Sequence, residues 1–277
     1  MIRSILVALD DTPGAQNARD LTFAIARRTG AAVTATTVLD TPHARDEHEA
    51  VPPGAAAFKE RRDAARAKRL EEEAEAAFAA CAAAAGETPF ARLRLIEAPG
   101  PALIAAGAAH DLVAIGRDAT LGLQQSQGGM APVIGTLLQE GARPLLVVPP
   151  GPMPPEGRVL VAYDGSVPSM RALQLFALLG LAGGAEVRVI SIAGQRAEAV
   201  PLAEAAAGYL QAHGVSAEPV ALESEHPAEM LIAEMTAMRA GLFVMGSYEH
   251  SGLRTFFTRS TTRGLLLAAP CPVFVAH

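Results

Sequence analysis

The chain has 277 residues, 50% of them apolar, no Trp, and a formal net charge of −6. That length suits one large domain or two ordinary ones, with cores built from Ala, Leu, Val and Ile. The acidic balance argues against a sequence-independent grip on nucleic acid or on an anionic membrane, both of which need a positive field.

The opening segment, MIRSILVALDD, runs into an apolar stretch that ends in two acids. It has no apolar targeting core followed by a small-residue cleavage site. No apolar run reaches the ~18 residues that suggest a membrane span, so a soluble, cytoplasmic protein is expected. Short β-branched runs follow at 5–9, 32–38, 91–96, 112–115 and 145–148, and again at 159–163, 186–192, 217–222, 242–245 and 273–276. Several are apolar on both faces, as strands of a parallel sheet covered by helices on each side must be.

Thr12 with Pro13, and Ser166 with Pro168, supply a capping oxygen and a preset φ for a helix after each first strand. Gly30 and Gly183-Gly184 stand where those helices should stop. Between the second and third runs of the first half lies an insertion. Its loop carries His43, Asp46, Glu47, His48 and Glu49 at a spacing that fits no standard metal-ligand pattern, so no metal site is expected. Residues 58–85 contain no Gly or Pro and predict one long helix. Its basic and acidic residues alternate at helical spacing, which reads as a solvated face. Cys81 and Cys271 have small or apolar neighbours and read as buried free thiols of a reducing compartment.

The chain repeats itself. ILVALDDTP at 5–13 returns as VLVAYDGSVP from 159, an offset of 154 residues. Asp111–Gly116 returns as Gly241–Gly246, offset by 130, and Arg143–Val148 returns as Cys271–Ala276, offset by 128. Two domains, 1–150 with the inserted helix and 156–277 without it, are joined by the proline-rich connector PPGPMPPEG. Each is expected to be a five-stranded parallel α/β sandwich with right-handed crossovers.

The stretch GSYEHSGLRTFFTRST, 246–261, has the outline of a phosphate-cradling loop. A glycine follows a strand, a polar loop follows the glycine, and hydroxyl residues open a helix. These features, with ILVALDD, VLVAYDGS and the closing APCPVFVAH, resemble the universal stress protein family in its tandem two-domain form. The resemblance covers essentially the whole chain and implies strand order 3-2-1-4-5. It also implies association through the last strands, here Leu145–Val148 with Val273–Ala276, as an internal pseudo-dimer. A further homodimer through the long helix stays open.

Members that bind ATP show G-x2-G-x9-G-[S/T] after strand four and an Asp closing strand one that holds adenosine. Carried over, the C-terminal half offers Asp164 with Ala162 on the same face, Gly246 as first glycine, and Ser260 with Thr261 at the helix start. Glu249 and Arg259 replace the second and third glycines. The first puts a carboxylate beside the phosphates, and the second could grip a phosphate or pair with Glu249. The N-terminal half offers Asp10 and Gly116, but Asp118-Ala119 follow and Met130 stands at the hydroxyl position.

There is no Gly-x-Ser-x-Gly elbow, no Cys–His pairing and no Walker lysine, so no enzyme is expected. Asp10 and Asp164 could also simply cap the following helices, and Gly116 and Gly246 could serve only the strand exits. Two functions remain. One is a regulatory or protein-interaction module with degenerate nucleotide sites. The other is ATP or AMP binding by the C-terminal half as the regulatory signal.

Overall fold

A computed structural model of the chain describes residues 1–39, 55–121, 128–247 and 259–277. The first half contributes β1 (Ser4–Ala8), α1 (Pro13–Thr29), β2 (Ala32–Val38), α2 (Ala56–Ala85), β3 (Phe90–Leu95), α3 (Pro99–Gly107), β4 (Leu112–Gly116), α4 (Pro132–Glu140) and β5 (Leu145–Val148). The second contributes β6 (Arg158–Ala162), α5 (Val167–Leu178), β7 (Glu186–Ala193), α6 (Arg196–Ala212), β8 (Ala217–Glu223), α7 (Pro227–Met238), β9 (Leu242–Gly246), α8 (Arg259–Ala268) and β10 (Val273–Ala276).

The strands form one sheet in the order β3-β2-β1-β4-β5-β10-β9-β6-β7-β8. Read inward from either outer edge, each half keeps the order 3-2-1-4-5, and neighbours within a half are parallel. The halves meet at an antiparallel seam, where Leu146 lies opposite Phe274 and Val147 opposite Val273. Both last strands are fully buried, so a pair of apolar edges that would otherwise invite aggregation is covered.

Strand residues alternate between two cores, as a period of two requires. Ile5 and Val7 pack with α1, α2, α5 and α6, whereas Leu6 and Ala8 pack with α3, α4, α7 and α8. Each core draws residues from both halves. Cys81 lies in the first and Cys271 in the second; both are buried and unpaired.

Thr12 and Ser166 cap α1 and α5, accepting from the amides of Ala15 and Ser169. Gly30 ends α1 with φ of 72°. The stop of α5 differs from expectation: the helix ends at Leu178, and Gly180 turns left-handed ahead of Gly183-Gly184. The long helix α2 is buried only from Leu70 onward, through Ala74, Phe78, Cys81 and Ala85. Its first three turns stand clear of the core. The halves also match in detail. Asn17 Nδ2 donates to Pro149 O at 2.9 Å, and Arg171 Nη1, at the equivalent position, donates to His277 O at 3.1 Å.

Candidate functional site

In an open α/β sheet a ligand sits beyond the carboxyl ends of the strands, where strand order reverses. Here that place lies between the exits of β1 and β4 in the first half, and of β6 and β9 in the second.

The two strand-one acids begin alike. Asp10 Oδ1 accepts from the Thr12 amide at 2.9 Å, and Asp164 Oδ1 accepts from the Ser166 amide at 3.0 Å. These bonds brace the capping residue of the next helix, so neither acid is itself the cap. Ala162 is buried beneath Asp164. The Tyr163 hydroxyl beside it is pushed above its ordinary pKa by burial and then by the Asp164 charge.

The strand-four glycines have a packing cause. A Cβ on Gly116 would stand 2.3 Å from the Ala15 nitrogen, and one on Gly246 would stand 2.5 Å from the Ser169 nitrogen. Helix α1 or α5 therefore starts against bare backbone at the end of β4 or β9. Both glycines are needed for that approach with or without a ligand.

Beyond this point the halves diverge. In the first half, the backbone after β4 folds onto the acid. Asp10 Oδ2 accepts from the amides of Thr120 at 2.6 Å and Leu121 at 3.1 Å, while Oδ1 takes a second bond from Thr12 Oγ1 at 2.6 Å. Both oxygens of Asp10 are thus engaged by the protein. Asp118 Oδ1 accepts from the Gly14 amide at 3.0 Å, which puts a carboxylate on the start of α1, where a helix favours an anion. Leu121 is held at φ 43° with its side chain 1% exposed, and Ala119, Met130 and Ala131 are buried with it. Helix α2 covers the other side. What remains is a cavity of about 30 Å³ lined by Asp10, Asp11, Thr37, Leu70, Glu73 and Thr120, room for little more than one water.

In the second half, the equivalents of Asp11, Arg117 and Ile134 are Gly165, Ser247 and Thr262. Gly165 and Gly194 leave a rim bounded by Leu202 and by the Glu225 carboxylate. Ser247 Oγ, directly after Gly246, and Thr262 Oγ1, in the first turn of α8, are buried and have no hydrogen-bond partner among the described residues. Thr261 is half-buried. Arg259 and Ser260 open α8 by their backbone. Glu249 lies outside the described residues, as does the His43–His48 loop. Among the described residues no group of three or more His, Cys, Asp or Glu could hold a metal ion. No helix among them is long and apolar enough to cross a membrane.

The profile of the universal stress protein family matches residues 1–149 and again residues 157–277. The chain belongs to the universal stress protein family. Solved structures agree on the fold. A universal stress protein from Archaeoglobus fulgidus superposes with TM-score 0.70 at 17% identity, covering 99% of this chain and 97% of its own. A functionally unknown protein from Pseudomonas aeruginosa PAO1 gives TM-score 0.60 at 19% identity, covering 99% of this chain and 92% of its own. A putative universal stress protein from Pseudomonas aeruginosa UCBPP-PA14 gives 0.59 at 19%, with 99% and 93% covered. No curated protein matches.

In this universal stress protein the strand-one acids and the strand-four glycines lie at strand exits, and Thr261 lies in the first turn of α8. Two contributors escaped the sequence reading. Asp118 and Arg117 occupy the two variable positions between the first glycine, Gly116, and the lost second one, Ala119, and carried no motif signal.

Proposed function

We propose that this chain is a regulatory stress-response module, not an enzyme, whose two halves have unequal roles. The N-terminal half acts as a ligand-independent scaffold. The observation that carries this is the state of Asp10. A carboxylate that accepts from Thr12, Thr120 and Leu121 has its acceptor positions filled. An adenosine hydroxyl would have to displace backbone amides that then lose their partners inside the fold, at ~1–3 kcal/mol each. The half that cannot read a nucleotide is free to serve protein partners through its surface.

A second reading concerns the C-terminal half: it binds an adenine nucleotide, ATP or AMP, as the signal. Ser247 and Thr262 favour it. Buried hydroxyls normally find partners. Thr37 on the first crevice lacks one among the described residues as well, but Ser247 and Thr262 stand at the strand-nine exit and the start of α8, where the other half has Arg117 and Ile134. Asp164, Gly246, Ser260 and Thr261 are the further contacts this reading assigns. Glu249 weakens the grip on a triphosphate and so favours the shorter AMP.

Calorimetry of the whole chain with ATP, ADP and AMP decides between the readings. Heat absent from all three at millimolar ligand supports a module that works without nucleotide. One site per chain, lost in Asp164→Ala and kept in Asp10→Ala, supports the second reading. Two sites per chain would overturn the unequal roles.

A further inference from the structure

Arg117, the residue after the first half's strand-four glycine, does not face its own crevice. Its Nη1 donates to Leu266 O at 3.0 Å and to Ala269 O at 2.9 Å, the carbonyl end of α8 in the other half. A helix leaves its last carbonyls without partners, and a cation there complements the helix dipole. Arg117 supplies both the donors and the charge. It is half-buried, and burial pulls its pKa below the ordinary arginine value, opposed by the Asp118 charge beside it.

Two described residues near the end of the loop lie along the same helix. The backbone of Gly128 runs beside Arg263, and that of Gly129 beside Leu267. The Ala131 amide donates to Arg117 O at 2.7 Å, closing the loop upon itself. The same segment is fastened to its own half through Asp118 on Gly14 and through Thr120 and Leu121 on Asp10. Ser247 stands at the equivalent position in the second half and is too short to cap α4 in the same way.

We infer that Arg117 is a positioning residue: through it, the sealed half holds α8 and so sets the order of the helix that opens the other half's crevice. The bearing on ligand affinity rests on the nucleotide reading of that crevice; the hold on α8 does not.

The test uses the full chain with Arg117→Ala, Arg117→Lys and, as a matched control, Arg143→Ala. Arg143 caps α3 in the same manner, through Ala108 O. Hydrogen exchange is read over 259–268 and over 99–107, with ATP affinity measured in parallel. Arg117→Ala should speed exchange in α8 by about 3- to 30-fold, the span of a charge–dipole contact at a partly buried helix end. It should weaken ATP by a similar factor and leave 99–107 unchanged. Arg117→Lys should recover part of both effects, and Arg143→Ala should loosen 99–107 alone. Unchanged exchange in α8 overturns the inference whether or not the chain binds nucleotide. In a chain that binds ATP, a loosened α8 with undiminished ATP affinity overturns the bearing on affinity and leaves the hold on α8 standing. If the parent chain binds no ATP and α8 still loosens, the hold by Arg117 stands and the nucleotide reading falls.

Discussion

Thr120 donates its amide to Asp10 Oδ2 at 2.6 Å across 110 residues of sequence. The bond joins the exit of β1 to the segment after β4, and it closes the first crevice from within. Asp10→Ala should therefore behave as a structural lesion. It strands the amides of Thr120 and Leu121 and should cost about 2–4 kcal/mol, the sum of two or so buried groups left without partners. Chemical denaturation measures the loss. Asp164→Ala, which releases the Ser166 amide, should also lower stability in the same assay.

The strand-four glycines give a prediction that separates packing from binding. Gly116→Ala and Gly246→Ala each place a Cβ within 2.5 Å of helix backbone. Backbone yields less readily than a flexible side chain, so each change should destabilise by about 1–3 kcal/mol or more. Thermal unfolding should show comparable losses in the two variants, although only one of these glycines borders a proposed nucleotide site.

The seam should make the chain unfold as one body. Phe274 is fully buried opposite Leu146, and both cores span the halves. Phe274→Ala should cost about 3–5 kcal/mol. Fluorescence and far-ultraviolet transitions should stay coincident in the parent chain and separate in this variant.

Burial pushes the Cys81 thiol to about 11 and the Cys271 thiol to about 12, from an ordinary value of 9.0. Both should resist thiol reagents in the native chain at pH 8 and react only on unfolding. Because the folded pKa values lie above the unfolded ones, the unfolded chain gives up these protons first. Stability from this source is fully present below pH 9 and falls as pH rises from 9 toward 11 or 12. Cys81→Ala with Cys271→Ala should flatten that alkaline slope in a pH series of denaturation curves, whatever the double change costs at neutral pH.

Much of this fold was legible because it is written locally and twice. Every strand lies within one residue or so of its apolar run, and α2 extends the expected helix by only two residues at its start. Thr12, Ser166 and Gly30 act where capping chemistry put them. The misplaced stop of α5 has a local cause as well. The chain turns at Gly180, and Gly183-Gly184 belong to the turns that follow. What stayed hidden depends on long-range partners. Asp118, one residue ahead of the lost second glycine at Ala119, carries no motif role until Gly14 is seen against its carboxylate. Arg117 reads as an ordinary polar residue until the last turn of α8, from the other half, arrives beneath it. No periodicity encodes either meeting.

The amide spectrum of the whole chain, titrated with ATP to millimolar concentration, tests the inequality of the halves most directly. The Thr120 and Leu121 resonances should stay fixed, with any shifts gathered at Gly165, Ser166, Ser247 and the first turn of α8. Movement of Thr120 and Leu121 on addition of ATP would show the first crevice opening to nucleotide and would contradict the account.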